Sequence, residues 1–127
     1  GERCSQNAIA IDKHFHVHDY LETVLYPGLS SDLGHQVAKK QTNGQFGGMM
    51  SIIIKGSEKN AIDVTRFCQL FYPATSLGGV ESLIEHRKTV SGEGFPVHPR
   101  LLRLSIGIED ADDLIWDLEQ ALTRAFN

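Results

Sequence analysis

The stretch from Leu101 to Ile108 constrains the fold of this chain more than any other segment. Successive side chains of an extended strand point to opposite faces, and this rule divides the stretch into an apolar face and a face that carries one arginine. One face holds four apolar side chains: Leu102, Leu104, Ile106 and Ile108. The opposite face holds one guanidinium with mostly small neighbours: Leu101, Arg103, Ser105 and Gly107. The apolar face is expected to pack against helices, and the other face leaves open space beside the arginine.

Arg103 is a candidate anion-binding residue, because a guanidinium presents a planar pair of N–H donors that fits a carboxylate or a phosphate. The alternative is an arginine on an edge strand that pairs with a nearby acid such as Glu109. Earlier in the chain, Ser76 and the pair Gly78-Gly79 precede an apolar run. A glycine turn there can aim free amide groups at a ligand. A serine, a glycine turn and a strand arginine are together the parts of a carboxylate site.

Strand and helix patterns alternate along the chain, which predicts an α/β fold. Strands are predicted over 20–26, 48–55, 74–75 and 101–108, with 48–55 at the centre of the sheet because it is apolar on both faces. Helices are predicted over 5–16, 33–42, 57–72, 80–86 and from Asp110 onward, and residues 89–100 are predicted as loop. The expected architecture is a single domain over 1–127, a two-layer sandwich. Its small antiparallel or mixed sheet, of about four strands, is covered by helices.

Composition narrows the function classes. A chain of 127 residues with 41% hydrophobic residues can bury one core, and its net charge of −4 argues against nucleic acid or an anionic membrane as a partner. No apolar run approaches the roughly 18 residues of a membrane span, and the N-terminus lacks the apolar region of a signal peptide. Cys4 and Cys68 do not make a disulfide framework. A cytoplasmic protein is expected.

Two other clusters of titratable residues have simpler explanations than a metal or catalytic site. His14, His16 and His18 lie where a predicted helix gives way to loop, and helical side chains two residues apart diverge. They are therefore predicted to face solvent rather than to bind zinc or nickel. Four acids lie at the start of the last helix, where the helix dipole favours negative charge: Glu109, Asp110, Asp112 and Asp113. Neither a metal ligand nor a catalytic residue is predicted in this chain.

Four motifs occur in a fixed order along the chain: Tyr26-Pro27-Gly28-Leu29, Gly47-Gly48-Met49-Met50-Ser51, Ser76-Leu77-Gly78-Gly79-Val80-Glu81-Ser82-Leu83 and Arg103-Leu104-Ser105-Ile106-Gly107-Ile108-Glu109-Asp110. Together they resemble the C-terminal domain of the cysteine and methionine metabolism enzymes that use pyridoxal phosphate, which have fold type I. Cystathionine γ-synthase, the cystathionine lyases and methionine γ-lyase belong to that family. The resemblance covers nearly all of the chain.

The resemblance implies roles for three residues. Arg103 is implied to bind the α-carboxylate of an amino-acid substrate, and Ser76 is implied to help bind the same group. Thr75 stands where the well-known lyases often have an acid or an amide, so it is implied to affect which substrate side chain is accepted. The implied chemistry is β- or γ-elimination or replacement on a sulfur-containing or O-acylated amino acid, within a homo-oligomer.

The cofactor of the resembled family is bound covalently by a lysine in a Ser/Thr-rich segment of a larger, preceding domain. None of the six lysines here lies in such a segment. Pyridoxal phosphate is therefore expected on a domain outside this chain, and the chain alone is expected to be inactive. A free-standing regulatory module that binds amino acids is the alternative from another class. A reading frame that continues upstream into a domain with that lysine would exclude it.

Overall fold

The computed structural model describes residues 2–26, 48–73, 81–91 and 97–127. Four helices lie in these ranges: α1 (Glu2–Phe15), α2 (Glu58–Phe67), α3 (Arg87–Ser91) and α4 (Ala111–Phe126). Five strands accompany them: β1 (Leu21–Leu25), β2 (Met49–Ile54), β3 (Phe71–Pro73), β4 (Ser82–His86) and β5 (Leu101–Ser105). No helix among these residues is long and apolar enough to cross a membrane.

The five strands form one mixed sheet in the order β1-β2-β5-β4-β3. β3 and β4 are parallel, whereas the other neighbours are antiparallel. The α/β sandwich and the mixed sheet are confirmed, with five strands instead of about four. The strand predicted at the centre, β2, lies second from the edge, and β5 lies in the middle. Arg103 is thus on the central strand and not on an edge.

The core lies between one face of the sheet and the helices. Its strand side includes Ile52, Ile54, Leu102 and Leu104, none of which is exposed. The predicted buried stripe of α4 is confirmed in full: Leu114, Leu118, Ala121, Leu122 and Ala125. Each fully buried leucine contributes about 1.5–3 kcal/mol through the hydrophobic effect. Ile108 departs from the predicted apolar face and is 45% exposed, because β5 has already ended at Ser105.

α4 begins as predicted at Asp110. The side chain of Asp110 accepts hydrogen bonds from the main-chain N–H groups of Asp112 and Asp113, at 2.9 Å and 3.2 Å. These donors have no partner inside the helix, so the cap fixes where α4 starts. Asp110 therefore has the capping role that the sequence indicated for it.

The helix predicted over 57–72 is shorter than expected. Ser57 caps it as predicted, but α2 ends at Phe67, and Cys68 already has an extended conformation. The cause lies on α4, where the buried carboxylate of Asp117 accepts the main-chain N–H groups of Gln69, Leu70 and Phe71 at 2.6–3.2 Å. These bonds replace the helical ones, so Phe71 begins β3 instead of extending the helical stripe.

The helix predicted over 80–86 is wrong, because Ser82–His86 forms β4. The spacing of Leu83 and Ile84 suited a helix, yet so short an apolar run fits either element. Pairing decides the outcome, since β4 is hydrogen-bonded to β3 on one side and to β5 on the other. Within 89–100, predicted as loop, the short helix α3 extends to Ser91. The predictions for 33–42 and 74–75 lie outside the described residues.

Candidate functional site

Arg103 lies on the face of the sheet that the core helices do not cover. It sits opposite Ser51 of β2 and Glu85 of β4 in the antiparallel registers. Its neighbours along the strand, Leu102 and Leu104, point to the core and are fully buried. The Arg103 side chain therefore leaves the opposite face, and 40% of it is exposed. This is the orientation that the alternation of the sequence predicted.

Glu85 pairs with Arg103 across the two strands. Oε1 of Glu85 contacts Nη2 of Arg103, and the same oxygen accepts a hydrogen bond from Nη1 of Arg87 at 2.5 Å. Only 7% of the Glu85 side chain is exposed, whereas both arginines reach solvent. One carboxylate therefore pairs with two guanidinium groups, and the cluster of Glu85, Arg87 and Arg103 has a net positive charge. A net positive charge favours the binding of an anion.

The acid suggested as an alternative partner of Arg103, Glu109, has a different role. Its Oε2 accepts the main-chain N–H of Ser82 at 3.0 Å, and its Oε1 accepts the Ser82 hydroxyl at 2.8 Å. Ser82 Oγ in turn accepts the N–H of Gly107 at 2.8 Å. Asn7 of α1 donates to the carbonyl oxygens of Gly107 and Glu109. This network fixes the turn that follows β5 against the start of β4.

Gly48 explains part of the Gly47-Gly48-Met49 motif. Its carbonyl accepts the N–H of Ile106 at 2.9 Å, so the two backbones lie in close contact. A Cβ atom at position 48 would lie 2.2 Å from the carbonyl oxygen of Ile106, which no side chain tolerates. The glycine is therefore needed where β2 begins beside the end of β5.

Sequence reasoning missed Glu85 and Arg87. The helix predicted over 80–86 hides the pairing of Glu85 with Arg103. A strand assignment would have placed alternate residues of β4 beside β5 and made Glu85 a candidate. The other predicted substrate-binding residues, Ser76 and Thr75, lie outside the described residues together with the glycine turn. Their roles stay predictions.

His14 is exposed as predicted, whereas only 13% of the His18 side chain is exposed. Nε2 of His14 and Nε2 of His18, four residues apart, both lie near Oε1 of Glu119, at 3.0 Å and 3.1 Å. Nδ1 of His18 accepts the N–H of Tyr20, so a neutral His18 carries its proton on Nε2 and donates to Glu119. His16 is exposed as predicted. No group of metal-binding side chains occurs in the described ranges.

Glu119 has a perturbed pKa. Partial burial raises the pKa of its carboxyl group, but the hydrogen bonds and charges of His14 and His18 outweigh that effect and bring the pKa below its usual value. At Cys68, by contrast, burial raises the pKa of the thiol, and the charge of Asp117 raises it further. A thiol with a raised pKa is a poor nucleophile, so Cys68 does not add a reactive group to the site.

Comparison with known proteins decides the family. Residues 2–123 match the family described as "Cys/Met metabolism PLP-dependent enzyme". The chain belongs to this family. It is 44% identical over 126 residues to a cystathionine γ-synthase of Mycobacterium bovis, covering 95% of this chain and 32% of that protein. It is 42% identical over 129 residues to a cystathionine β-lyase of Coxiella burnetii, covering 95% of this chain and 33% of that protein.

A solved structure of the family has the same fold. The cystathionine γ-synthase of Xanthomonas oryzae pv. oryzae, in complex with cystathionine, superimposes with a TM-score of 0.82 at 38% identity. The match covers 98% of this chain and 34% of that one. The chain thus spans about a third of the length of the curated relatives it matches. The resemblance stated from the four motifs is confirmed at the level of the family.

The described lysines do not fit the covalent attachment of pyridoxal phosphate. A lysine that forms a Schiff base works in a desolvated pocket or beside another cation. The four lysines in the described ranges are all exposed: Lys13, Lys55, Lys59 and Lys88. Lys59 is paired with Asp63 at 2.7 Å. No step of the family's chemistry is therefore assigned to them.

Proposed function

We propose that this chain is the C-terminal, substrate-carboxylate-binding domain of a longer enzyme of the trans-sulfuration type. The longer enzyme catalyses β- or γ-elimination or replacement on sulfur-containing or O-acylated amino acids. Membership of the Cys/Met metabolism family supports this proposal over a free-standing regulatory module. Relatives named as a γ-synthase and as a β-lyase match almost equally well, so the proposal extends to the class of reaction and not to one leaving group.

The cluster around Arg103 is the observation that carries the proposal. Its side chain leaves the face of the sheet opposite the core, and among the described residues one buried acid, Glu85, is shared by Arg87 and Arg103, so these three groups carry a net positive charge. A substrate α-carboxylate supplies the missing negative charge, and Arg can bind it through two parallel hydrogen bonds. As the resemblance implies, Ser76 helps to bind the same carboxylate, and Thr75 affects which substrate side chain is accepted.

Pyridoxal phosphate is bound by a large domain that this chain does not include. When bound, the cofactor supplies the electron sink for chemistry at the carbons of the substrate. Arg103 and Ser76 orient the substrate towards it. The enzyme is a cytoplasmic homo-oligomer, a dimer or tetramer, as the resemblance implies.

The full-length protein provides the test. Purified with pyridoxal phosphate, it is expected to show the absorbance of a lysine-bound cofactor and to turn over at least one of cystathionine, an O-acyl-homoserine and methionine. The 127-residue chain, treated with borohydride in the presence of the cofactor, is expected to retain none covalently. Stoichiometric labelling of one lysine of this chain would contradict the assignment of the cofactor to another domain. Full-length protein that binds amino acids without cofactor or turnover would instead favour a regulatory module.

A further inference from the structure

A buried acid lies between two arginines on the uncovered face of the sheet, although sequence reasoning assigned it no role. We propose that Glu85 is a positioning residue for Arg103, holding its guanidinium in the orientation that receives the substrate α-carboxylate. The inference rests on the proposed function of Arg103 and adds two residues to it, Glu85 and Arg87. Glu85 acts through Arg103 and does not touch the substrate.

The main chain sets the position of Glu85. It is paired with Arg103 in the antiparallel register of β4 and β5, so the two side chains leave the same face of the sheet directly opposite each other. β4 pairs with β5 from Leu83 to His86, and its first three residues also pair with β3. The carboxylate therefore projects from a rigid element, which is what accurate positioning of a binding group requires.

Burial makes this carboxylate a firm anchor. Glu85 is 7% exposed, and a buried carboxylate without a cationic partner is strongly destabilising. Arg87 holds Oε1 of Glu85 at 2.5 Å from the other side. Neither the acid nor its hydrogen bonds can therefore move far without leaving a buried charge unpaired.

The Arg103 side chain needs such an anchor. Its Nε is buried and has no hydrogen-bond partner among the described residues, so Nε does not fix the plane of the guanidinium. Nη2 is the atom that the structure shows in an ion pair, and its partner is Glu85. A bidentate grip on a carboxylate depends on the orientation of that plane. Glu85 therefore determines where the free edge of the guanidinium points.

Charge leads to the same conclusion. Arg87 and Arg103 are like charges that approach one carboxylate oxygen, and their mutual repulsion is offset only while Glu85 is ionised. If Glu85 were neutral, the two guanidinium groups would separate and Arg103 would lose its orientation. We expect this loss to exceed the gain from removing a negative charge near the substrate, because a bidentate grip on a carboxylate depends on the orientation of the guanidinium plane.

A double-mutant cycle in the full-length enzyme tests the inference. Glu85→Gln keeps the size of the side chain but removes its charge. It is expected to raise KM, and the dissociation constant of a non-reacting amino acid measured by calorimetry, about tenfold, with a smaller change in kcat. Combined with Arg103→Ala it is expected to add less than twofold to the loss caused by Arg103→Ala alone, because a residue that acts through Arg103 has no effect without it.

Glu22→Gln is the matched control. Glu22 of β1 pairs with Arg100 at 3.2 Å but is half exposed, and the loss of its charge is expected to leave KM unchanged. Arg87→Gln is a second test that avoids a buried substitution. It removes the second bond that holds Oε1 of Glu85, so the carboxylate positions Arg103 less firmly and KM is expected to rise several-fold in this variant too. That result decides the question if Glu85→Gln does not fold.

The outcomes separate the inference from the proposed function. If Arg103→Ala retains normal kcat/KM, the carboxylate site itself is wrong. If Arg103→Ala is impaired but Glu85→Gln and Arg87→Gln bind substrate normally, only the positioning role is wrong. Effects of Glu85→Gln and Arg103→Ala that multiply independently, with a lowered melting temperature, would also overturn it in favour of a purely structural acid.

Discussion

Glu109 uses both of its carboxylate oxygens on one residue, Ser82. Oε2 accepts the main-chain N–H at 3.0 Å, and Oε1 accepts the hydroxyl at 2.8 Å, although the two residues are 27 positions apart. Ser82 is the first residue of β4, and Glu109 follows β5. The contact therefore joins the C-terminal end of the Ser-Leu-Gly-Gly motif to the C-terminal end of the motif that begins with Arg103. It holds the strand of Glu85 against the strand of Arg103 at the end where the predicted glycine turn enters β4.

Glu109→Ala is expected to destabilise the protein by about 2–4 kcal/mol. Ser82 is fully buried, and its N–H would lose a charge-assisted hydrogen bond without access to water. Glu109→Gln is expected to cost less, because its amide oxygen still accepts one bond. Denaturant-induced unfolding followed by circular dichroism measures the change. An unfolding midpoint of Glu109→Ala equal to that of the parent would show that the contact contributes nothing.

Asp117→Ala is expected to cost more than about 3 kcal/mol. Its carboxylate accepts three successive main-chain N–H groups where α2 gives way to β3, and the substitution leaves these donors without a partner. Asp112→Ala, at the exposed first turn of the same helix, serves as the control and is expected to cost less than about 1 kcal/mol. Equal unfolding free energies for the two variants would contradict the role assigned to Asp117.

Glu119 is expected to make stability depend on pH. Because its pKa is lowered in the folded state, the stabilisation is present above the unfolded pKa of about 4.3 and is lost as pH falls through the folded value. The carboxylate is more than a third exposed, so the contribution is expected to stay below about 1 kcal/mol. Unfolding of the parent and of Glu119→Gln is compared at pH 6 and pH 3. If the parent became more stable relative to Glu119→Gln as the pH falls from 6 to 3, the pKa of Glu119 would not be lowered in the folded state.

Thr75→Glu is expected to change which substrates the full-length enzyme prefers. Thr75 is uncharged and is not required for the α-carboxylate, so the substitution should act on the part of the substrate beyond that group. The ratio of kcat/KM between cystathionine and an O-acyl-homoserine measures the effect, and Thr75→Ser is a matched control that keeps the hydroxyl. An equal loss for every substrate would show instead that Thr75 supports carboxylate binding.

The sequence correctly predicted the elements in which apolar residues recur with a strict period or over a long stretch. β5 and α4 were assigned correctly because strict alternation and an extended 3.6-residue stripe each favour one structure. β4 was missed because its few apolar residues satisfy both patterns. The end of α2 was missed because it depends on Asp117, about fifty residues away in sequence. Long-range contacts of this kind leave no local pattern.

In the candidate site, too, features local to one strand could be predicted, whereas contacts between strands could not. The outward orientation of Arg103 could be predicted from its strand alone, since the face of a residue follows from alternation. Its ion-pair partner could not, because Glu85 lies beside Arg103 only in the register of β4 against β5. Glu109 was the wrong choice of acid for a related reason, since nearness in sequence does not determine where a side chain turns after the strand ends.

The central claim is that Arg103 binds the substrate α-carboxylate, and its most direct test is to measure kcat/KM of the full-length enzyme carrying Arg103→Lys. An ammonium cannot reproduce the two parallel donors of a guanidinium, so this substitution is not conservative at a bidentate site. The loss of a charge-assisted pair is worth roughly 2–4 kcal/mol, or on the order of 30- to 1000-fold in kcat/KM. The melting temperature should change little, because Glu85 keeps Arg87 as a partner and the core face of β5 is untouched. A large loss of kcat/KM with an unchanged melting temperature is the predicted result. Near-normal kinetics with a lowered melting temperature would contradict the account and make Arg103 a structural partner of Glu85.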